Sequence, residues 1–213
     1  MRLAELSKRS GVSTATIKYY LRERLLPQGE RITATQAEYG EEHLRRLRLV
    51  RALIQVGRMP VATAREVLEA AEDESLSQNS RMGTAIWALP HGAEPDQDDP
   101  QAARAREQVD TLLERMGWAY CQELGDTSPA YRTLTAAIAS LARLGYPHDT
   151  EHLLLQARLA AELAVADLDL VEAYDTPAER IEAAVALTVL YEPVLLSLRR
   201  LAQTEESGRR FGE

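Results

Sequence analysis

Residues 12–26, VSTATIKYYLRERLL, decide how the start of the chain folds. Ser13 belongs to the residue types that cap helices, and the apolar Ile17 and Leu21 follow it at helical spacing, which predicts a short helix. Adjacent residues of a helix point about 100° apart. If Ile17 and Leu21 face a core, Tyr19 must therefore face away from it, where it is free to touch something else.

A second short helix is predicted just before this one. Leu3 and Leu6 give it an apolar face, and Gly11 permits a tight turn between the two, which is the spacing of a helix-turn-helix. The outer face of the later helix then presents hydroxyls and cations, which can bind phosphates and base edges in a major groove. The residues on that face are Thr14, Thr16, Lys18, Tyr19 and Arg22. The spacing alone leaves open the alternative of a solvated face on a small three-helix domain.

The segment after this pair predicts a wing and two more helices. Residues 30–39, ERITATQAEY, are β-branched and partly alternating, which predicts a small two-stranded wing. Apolar residues over 44–54 then predict a third helix with Gly57 as its C-terminal cap. Residues 60–71 predict a fourth helix.

Over residues 1–72 these segments resemble the DNA-binding domain of the MerR family of transcription regulators. The resemblance is carried by LAELSKRSGVSTATIKYYLRERLLP, then AEYGEEHLRRLRLVRAL, then PVATAREVLEAA. It implies a winged helix-turn-helix and a homodimer on palindromic double-stranded DNA. In many members it also implies activation at the promoter, where RNA polymerase is the partner, by twisting of an over-long spacer.

The resemblance also implies which residues meet DNA. It implies that the Lys-Tyr-Tyr triplet contacts the DNA backbone and that the start of the same helix lies at the groove of the duplex. It also implies that Tyr39 closes the wing. The predicted DNA-binding residues are Ser13, Thr14, Thr16, Lys18, Tyr19, Tyr20, Arg22, Arg31, Thr33, Thr35, Gln36 and Tyr39.

Two departures from the family pattern affect these expectations. Many members have Tyr-Arg in the wing where this chain has Gln36 and Ala37, so either backbone anchoring is weaker there or another residue supplies it. The family usually continues into one long dimerisation helix, which Gly83 and Pro90 interrupt here. The final helix, apolar over a wide arc across residues 181–198, is the predicted dimerisation surface. Burial of that helix inside its own domain is the competing interpretation.

Charge divides the chain near residue 72. Residues 1–72 carry 13 Lys and Arg against 9 Asp and Glu, whereas the remainder carries 12 against 24. A basic head on an acidic body indicates that only the head meets a polyanion. The predicted domains are a DNA-binding domain over 1–72, a short helix and linker over 73–100, and an all-α effector and dimerisation domain over 101–213. The predicted fold class is mainly α, with one two-stranded wing.

The remaining composition argues against several function classes. The single cysteine, Cys121, rules out an intramolecular disulfide and disfavours a thiolate metal site, so neither a metal nor any other cofactor is predicted. No nucleophile elbow, phosphate loop or metal-hydrolase motif is present, which predicts that the chain is not an enzyme. No apolar run approaches about 18 residues, and the start lacks a signal region, which predicts a cytoplasmic protein without a membrane partner.

The acidic body is predicted to sense a small apolar or cationic molecule, because aromatic rings with acidic neighbours can line such a pocket. The candidate ligand-binding residues are Trp87, Trp118, Tyr120, Tyr131, Tyr146 and Tyr191. Packing between helices is the competing interpretation of these rings. A constitutive or architectural DNA-binding protein, whose body only dimerises, is the competing interpretation of the whole chain.

Overall fold

The computed structural model describes residues 1–33, 36–96 and 98–212. The elements in chain order are α1 (Leu3–Ser10), α2 (Thr14–Arg22), β1 (Glu30–Thr33), β2 (Gln36–Glu38), α3 (Glu41–Arg51), α4 (Val61–Glu72), α5 (Gln78–Trp87), α6 (Pro100–Met116), α7 (Ala119–Leu124), α8 (Pro129–Leu144), α9 (Thr150–Glu172) and α10 (Pro177–Phe211). The predicted fold class is confirmed: the chain is mainly α, with a two-stranded sheet after the helix-turn-helix.

The chain folds as two compact units. The first contains Met1–Leu89 together with Val171–Glu213, and the second contains Pro90–Leu170. In this division α5 and α10 both belong to the first unit, and the domain boundaries predicted at residues 72 and 100 stay predictions. The predicted effector domain over 101–213 stays a prediction about function.

The turn between α1 and α2 is the one that the sequence predicted. Gly11 has a φ of 67°, in the left-handed region that glycine adopts without a Cβ clash. Its N–H donates to the Ser7 carbonyl at 3.0 Å, and the Ser7 hydroxyl donates to the Val12 carbonyl at 2.6 Å. These two bonds hold the helices at a tight angle, so that Leu6 and Ile17 pack in one fully buried core.

The wing forms as predicted. Strands β1 and β2 are antiparallel, with Arg31 opposite Ala37 and Thr33 opposite Gln36. Thr35, one of the predicted DNA-binding residues, lies outside the described residues.

Helix α3 continues through a π-helical turn over Ala52–Val56, and Gly57 is the C-terminal cap, as predicted. The left-handed φ that follows belongs to Arg58, at 50°, rather than to Gly57. Gly57 is needed for a different reason, since a Cβ there would lie 2.8 Å from the Cγ1 of Val189. The glycine therefore lets α10 approach the end of α3.

Helix α10 has two unlike halves. Ile181 and Val185 are fully buried and Val189 is 8% exposed, and all three belong to the same core as α1 to α5. Beyond them, apolar side chains from Tyr191 onward are exposed, including Leu201 at 65%. The first half thus completes the core of the first unit, and the second half leaves it.

By length and composition, α10 is the one helix among the described residues that could cross a bilayer. The sequence has no uninterrupted apolar run that predicted this. The core residues at its start give the helix a role inside the first unit.

The second unit is a small helical cluster. Asp99 and Ser128 cap α6 and α8, and the two helices pack along one another around Val109 and Ile138. The Tyr131 hydroxyl donates to Asp110 Oδ1 at 2.8 Å. Burial, reinforced by this bond, raises the pKa of Tyr131 well above its usual range.

Candidate nucleic-acid interface

Helix α2 is fixed at its start and on one face. Ser13 Oγ accepts from the Thr16 N–H at 3.1 Å, and the two hydroxyls share a further hydrogen bond at 2.8 Å. Ile17 is fully buried and Tyr20 is 5% exposed, so both side chains anchor the helix in the core. The predicted cap and the predicted inward face are confirmed.

The opposite face of α2 is exposed and carries the chemistry. Thr14, Lys18 and Arg22 are exposed, and Tyr19 is 36% exposed. The Arg22 guanidinium carbon lies 5.2 Å from the centre of the Tyr19 ring, which is a cation–π distance. This contact limits the freedom of both side chains. The face therefore offers an ammonium, a guanidinium and two hydroxyls to an anionic surface.

Two of the predicted DNA-binding residues are buried. Tyr20 lies in the core, and Tyr39 is 7% exposed with its ring edge-on to His43. Tyr39 closes the wing, as the resemblance implied, but its ring faces inward. Both rings are buried, and the DNA contacts that the resemblance implied for Tyr20 and Tyr39 stay predictions.

The start of the chain is bound to the wing. The Met1 nitrogen donates to the Tyr39 carbonyl at 2.7 Å, and the Tyr39 N–H donates to the Met1 carbonyl at 2.9 Å. The next residue, Arg2, donates from its guanidinium to Gln36 Oε1 at 2.5 Å. Arg31 and Gln36 are themselves exposed on the wing. Sequence reasoning missed Arg2, because its position beside the wing depends on contacts across more than thirty residues.

Several other arginines are committed to the protein itself. Arg9 pairs with Glu41, and Arg51 donates to the Ser10 carbonyl at 3.0 Å, which ties α3 to α1. These cations stabilise the head rather than extend its outer face.

An ionic network that includes the buried Arg46 links α3 to α4 and α10. Arg46 is 4% exposed, donates to the Leu25 carbonyl at 3.1 Å and pairs with Glu72 at 2.8 Å. Burial lowers the pKa of Arg46, while the charges of Glu72 and Glu182 act in the opposite direction. Burial disfavours the charged form of Glu182 on α10 as well, and for a carboxyl this raises the pKa. Arg45 adds a pair with Glu179 of α10 at 3.3 Å.

The predicted ligand-binding aromatics do not form one group. Trp118 and Tyr131 pack in the core of the second unit. Tyr120 and Tyr146 are exposed at 63% and 61%. Trp87 and Tyr191 belong to the first unit, where they are 37% and 44% exposed. Over the part of the chain that the structure describes, no group of three His, Cys, Asp or Glu residues is placed to hold a metal ion.

Comparisons with known proteins agree with this geometry. Residues 1–71 match the family described as "MerR HTH family regulatory protein". A solved structure from Streptomyces coelicolor A3(2), described as the "putative transcriptional regulator SCO5550", shares 57% sequence identity with this chain at a TM-score of 0.88. The match covers 100% of this chain and 99% of that one. No curated protein matches.

Proposed function

We propose, from the premise that this chain belongs to the MerR family of helix-turn-helix regulatory proteins, that it binds an operator as a homodimer and responds to a small molecule. The chain is a DNA-binding transcription regulator. Sequence specificity, dimerisation and effector control are the proposed parts.

The exposed face of α2 is the observation that carries DNA binding. Lys18 and Arg22 supply positive charge, Tyr19 supplies a phenol next to Arg22, and the buried Ile17 holds the helix from behind. Cations and hydroxyls of this kind bind phosphates and position the helix, and base contacts within the groove add specificity.

The test begins with duplexes enriched by the full chain from a random-sequence library. Fluorescence anisotropy then compares the wild type with Lys18→Ala and with Arg104→Ala, a control that removes an exposed cation from α6. Lys18→Ala should weaken binding and lower the dependence on salt, whereas Arg104→Ala should bind like the wild type. Failure of the wild type to enrich any sequence would contradict sequence-specific binding.

The exposed half of α10 supports the homodimer. Tyr191, Val194, Leu198 and Leu201 are 44%, 46%, 58% and 65% exposed and follow one another at spacings of three and four residues. Tyr191 is two residues after the buried Val189, and 100° per residue places the two on opposite sides of the helix. An exposed apolar stripe of this length is typical of a protein interface.

The stripe is also complementary to itself. Tyr191 and Leu201 are equidistant from Leu196, as are Val194 and Leu198. If two copies of α10 pair antiparallel with the two-fold axis at Leu196, Tyr191 of each copy lies against Leu201 of the other, and Val194 against Leu198. A two-fold interface requires this reciprocal matching. Sedimentation equilibrium of the full chain should give twice the chain mass, and a monomer at micromolar concentration would contradict the proposal.

The second unit is the proposed effector site. Residues 90–170 carry 6 Arg and no Lys against 14 Asp and Glu, a composition that favours a cationic ligand. Tyr120 and Tyr146 add exposed aromatic rings to this unit. A thermal-shift screen with cationic and apolar aromatic compounds should find ligands that raise the melting temperature. If none does, the favoured alternative becomes a constitutive or architectural DNA-binding protein.

Family membership also supports RNA polymerase as the partner at the promoter. Transcription in vitro from a promoter that contains the enriched sequence should change when the protein is added. An unchanged transcript yield at saturating protein would contradict a regulatory role at that promoter.

A further inference from the structure

A cleft lies between the start of α1, helix α2 and the wing. Its volume is about 590 Å³, and its lining includes the cations Arg2 and Lys18 together with Gln36 and Ala37 of β2. Lys18 comes from the exposed face of α2, so the cleft continues the surface that we propose for DNA.

Arg2 is fixed in this cleft from both sides. The preceding residue, Met1, exchanges two backbone hydrogen bonds with Tyr39, and Arg2 itself is the N-cap of α1. Its guanidinium donates to Gln36 Oε1 at 2.5 Å. A guanidinium has five N–H donors, so donors remain for an anion while Gln36 holds the orientation.

The positive charge of the cleft is not neutralised. Within the described residues, neither Arg2 nor Lys18 has a carboxylate at ion-pair distance, in contrast to Arg9 and Arg46. Strand β2 contributes Gln36, Ala37 and Glu38 and therefore no cation of its own. Arg2 thus delivers a guanidinium to an edge of the wing that lacks one.

We infer that Arg2, together with Lys18, binds a phosphate of the DNA backbone, and that Gln36 orients the Arg2 guanidinium for this contact. The inference rests on the proposed function, because it needs a duplex on α2 and the wing. A phosphate contact carries no base information, so Arg2 contributes to affinity and not to the choice of sequence.

The experiment measures the dissociation constant of the full chain for an enriched duplex over a series of salt concentrations. Arg2→Ala should weaken binding by roughly tenfold and reduce the slope of log K against log salt by about one per subunit. Arg2→Ala should weaken binding to a non-specific duplex by the same factor as binding to the enriched duplex. Arg104→Ala, which removes an exposed cation from α6, should change neither quantity.

A rescue separates a phosphate contact from a structural role. Ala37 lines the same cleft and has a short side chain, so Ala37→Arg in the Arg2→Ala background should restore most of the affinity and the salt slope. If the Arg2→Ala variant does not fold, the single substitution Ala37→Glu is tested in its place. The carboxylate that it adds to the cleft should weaken DNA binding.

The outcomes distinguish the two proposals. A wild type that binds no duplex would overturn the proposed function. A wild type that binds, with Arg2→Ala or its replacement Ala37→Glu unchanged in affinity and salt slope, would overturn only the role of Arg2. Loss of affinity without rescue by Ala37→Arg would also count against the phosphate contact.

Discussion

Tyr19 and Tyr20 are neighbours on α2 with opposite surroundings. Tyr19 is 36% exposed under the guanidinium of Arg22, while Tyr20 is 5% exposed in the core. Residues one position apart on a helix point about 100° apart, and a helix on the surface of a small domain thus exposes one ring and buries the other. The two side chains are expected to respond differently to substitution.

Tyr19→Phe should weaken operator binding by about tenfold, because it removes a hydroxyl that can donate to a charged phosphate oxygen. The ring and its contact with Arg22 are retained, so the melting temperature should not change. Anisotropy titrations and thermal melts measure the two effects. Tyr174→Phe, at another exposed tyrosine, is the control and should bind normally. Equal affinity for Tyr19→Phe and the wild type would exclude the phenol as a contact.

Tyr20→Ala should lower the free energy of unfolding by about 3–5 kcal/mol, the range for truncation of a buried aromatic ring. Urea unfolding followed by circular dichroism measures the loss. Tyr20→Phe keeps the ring and should retain most of the stability. A Tyr20→Ala protein as stable as the wild type would show that the ring does not support the core.

At the scale of elements, local signals in the sequence predicted most helices and the wing. Ser13 accepts a hydrogen bond from the backbone at the helix start where the sequence placed it, and Asp99, Ser128 and Thr176, of the same capping types, do so at the starts of α6, α8 and α10. Caps and apolar spacing act over a few residues, which is why they can be recognised without a structure.

The docking of α10 against the head could not be predicted in the same way. The apolar residues of α10 fit a core helix or a dimer helix equally well, and nothing in their spacing identifies the partner. The partner is set by contacts far apart in the chain, such as Val189 against Gly57 and Arg45 against Glu179. Arg2 beside Gln36 is a further example, at the candidate site itself.

The contact between α10 and the head predicts a pH effect through Glu182. The charge of Glu182 interacts with those of Arg45 and Arg46 on α3, Glu72 on α4 and Glu179 on α10. Burial raises the pKa of Glu182 above its ordinary value of 4.5, so the folded state holds its proton more tightly than the unfolded chain does. Its contribution to stability is fully present below the unfolded pKa and is lost as the pH rises through the folded pKa.

Glu182→Gln removes this titration. The wild type loses stability through Glu182 as the pH rises, and the variant does not. The melting temperature of Glu182→Gln minus that of the wild type should therefore increase as the pH rises from below 4.5 toward neutrality. Differential scanning calorimetry at a series of pH values measures the difference. Glu69→Gln, on the exposed face of α4, serves as the control. A difference that does not vary with pH, or that falls as the pH rises, would contradict a raised pKa of the partly buried Glu182.

At the scale of the whole molecule, one helix joins the core of the head to an exposed apolar stripe. Leu198→Glu should convert the proposed dimer to a monomer, because it places a charge in the middle of the stripe. Operator affinity should fall by about a hundredfold or more, since each head would then bind its half-site alone.

Leu196→Glu provides a matched control. Leu196 is 45% exposed and lies on the opposite side of α10 from the stripe, so this variant should stay dimeric. Sedimentation and anisotropy measure both variants. A dimeric Leu198→Glu protein, or a monomeric Leu196→Glu protein, would place the interface on a different surface.

Val189, at the edge of the head core, and Leu196, at the proposed two-fold point, are only seven residues apart on α10. Seven residues of α-helix rise about 10.5 Å, so the helix acts as a ruler that sets how far each head lies from the symmetry axis. Seven residues inserted after Val189 would return the stripe to nearly the same side while moving each head outward by about 10.5 Å. The preferred distance between half-sites should then lengthen by about six base pairs, at 3.4 Å per base pair.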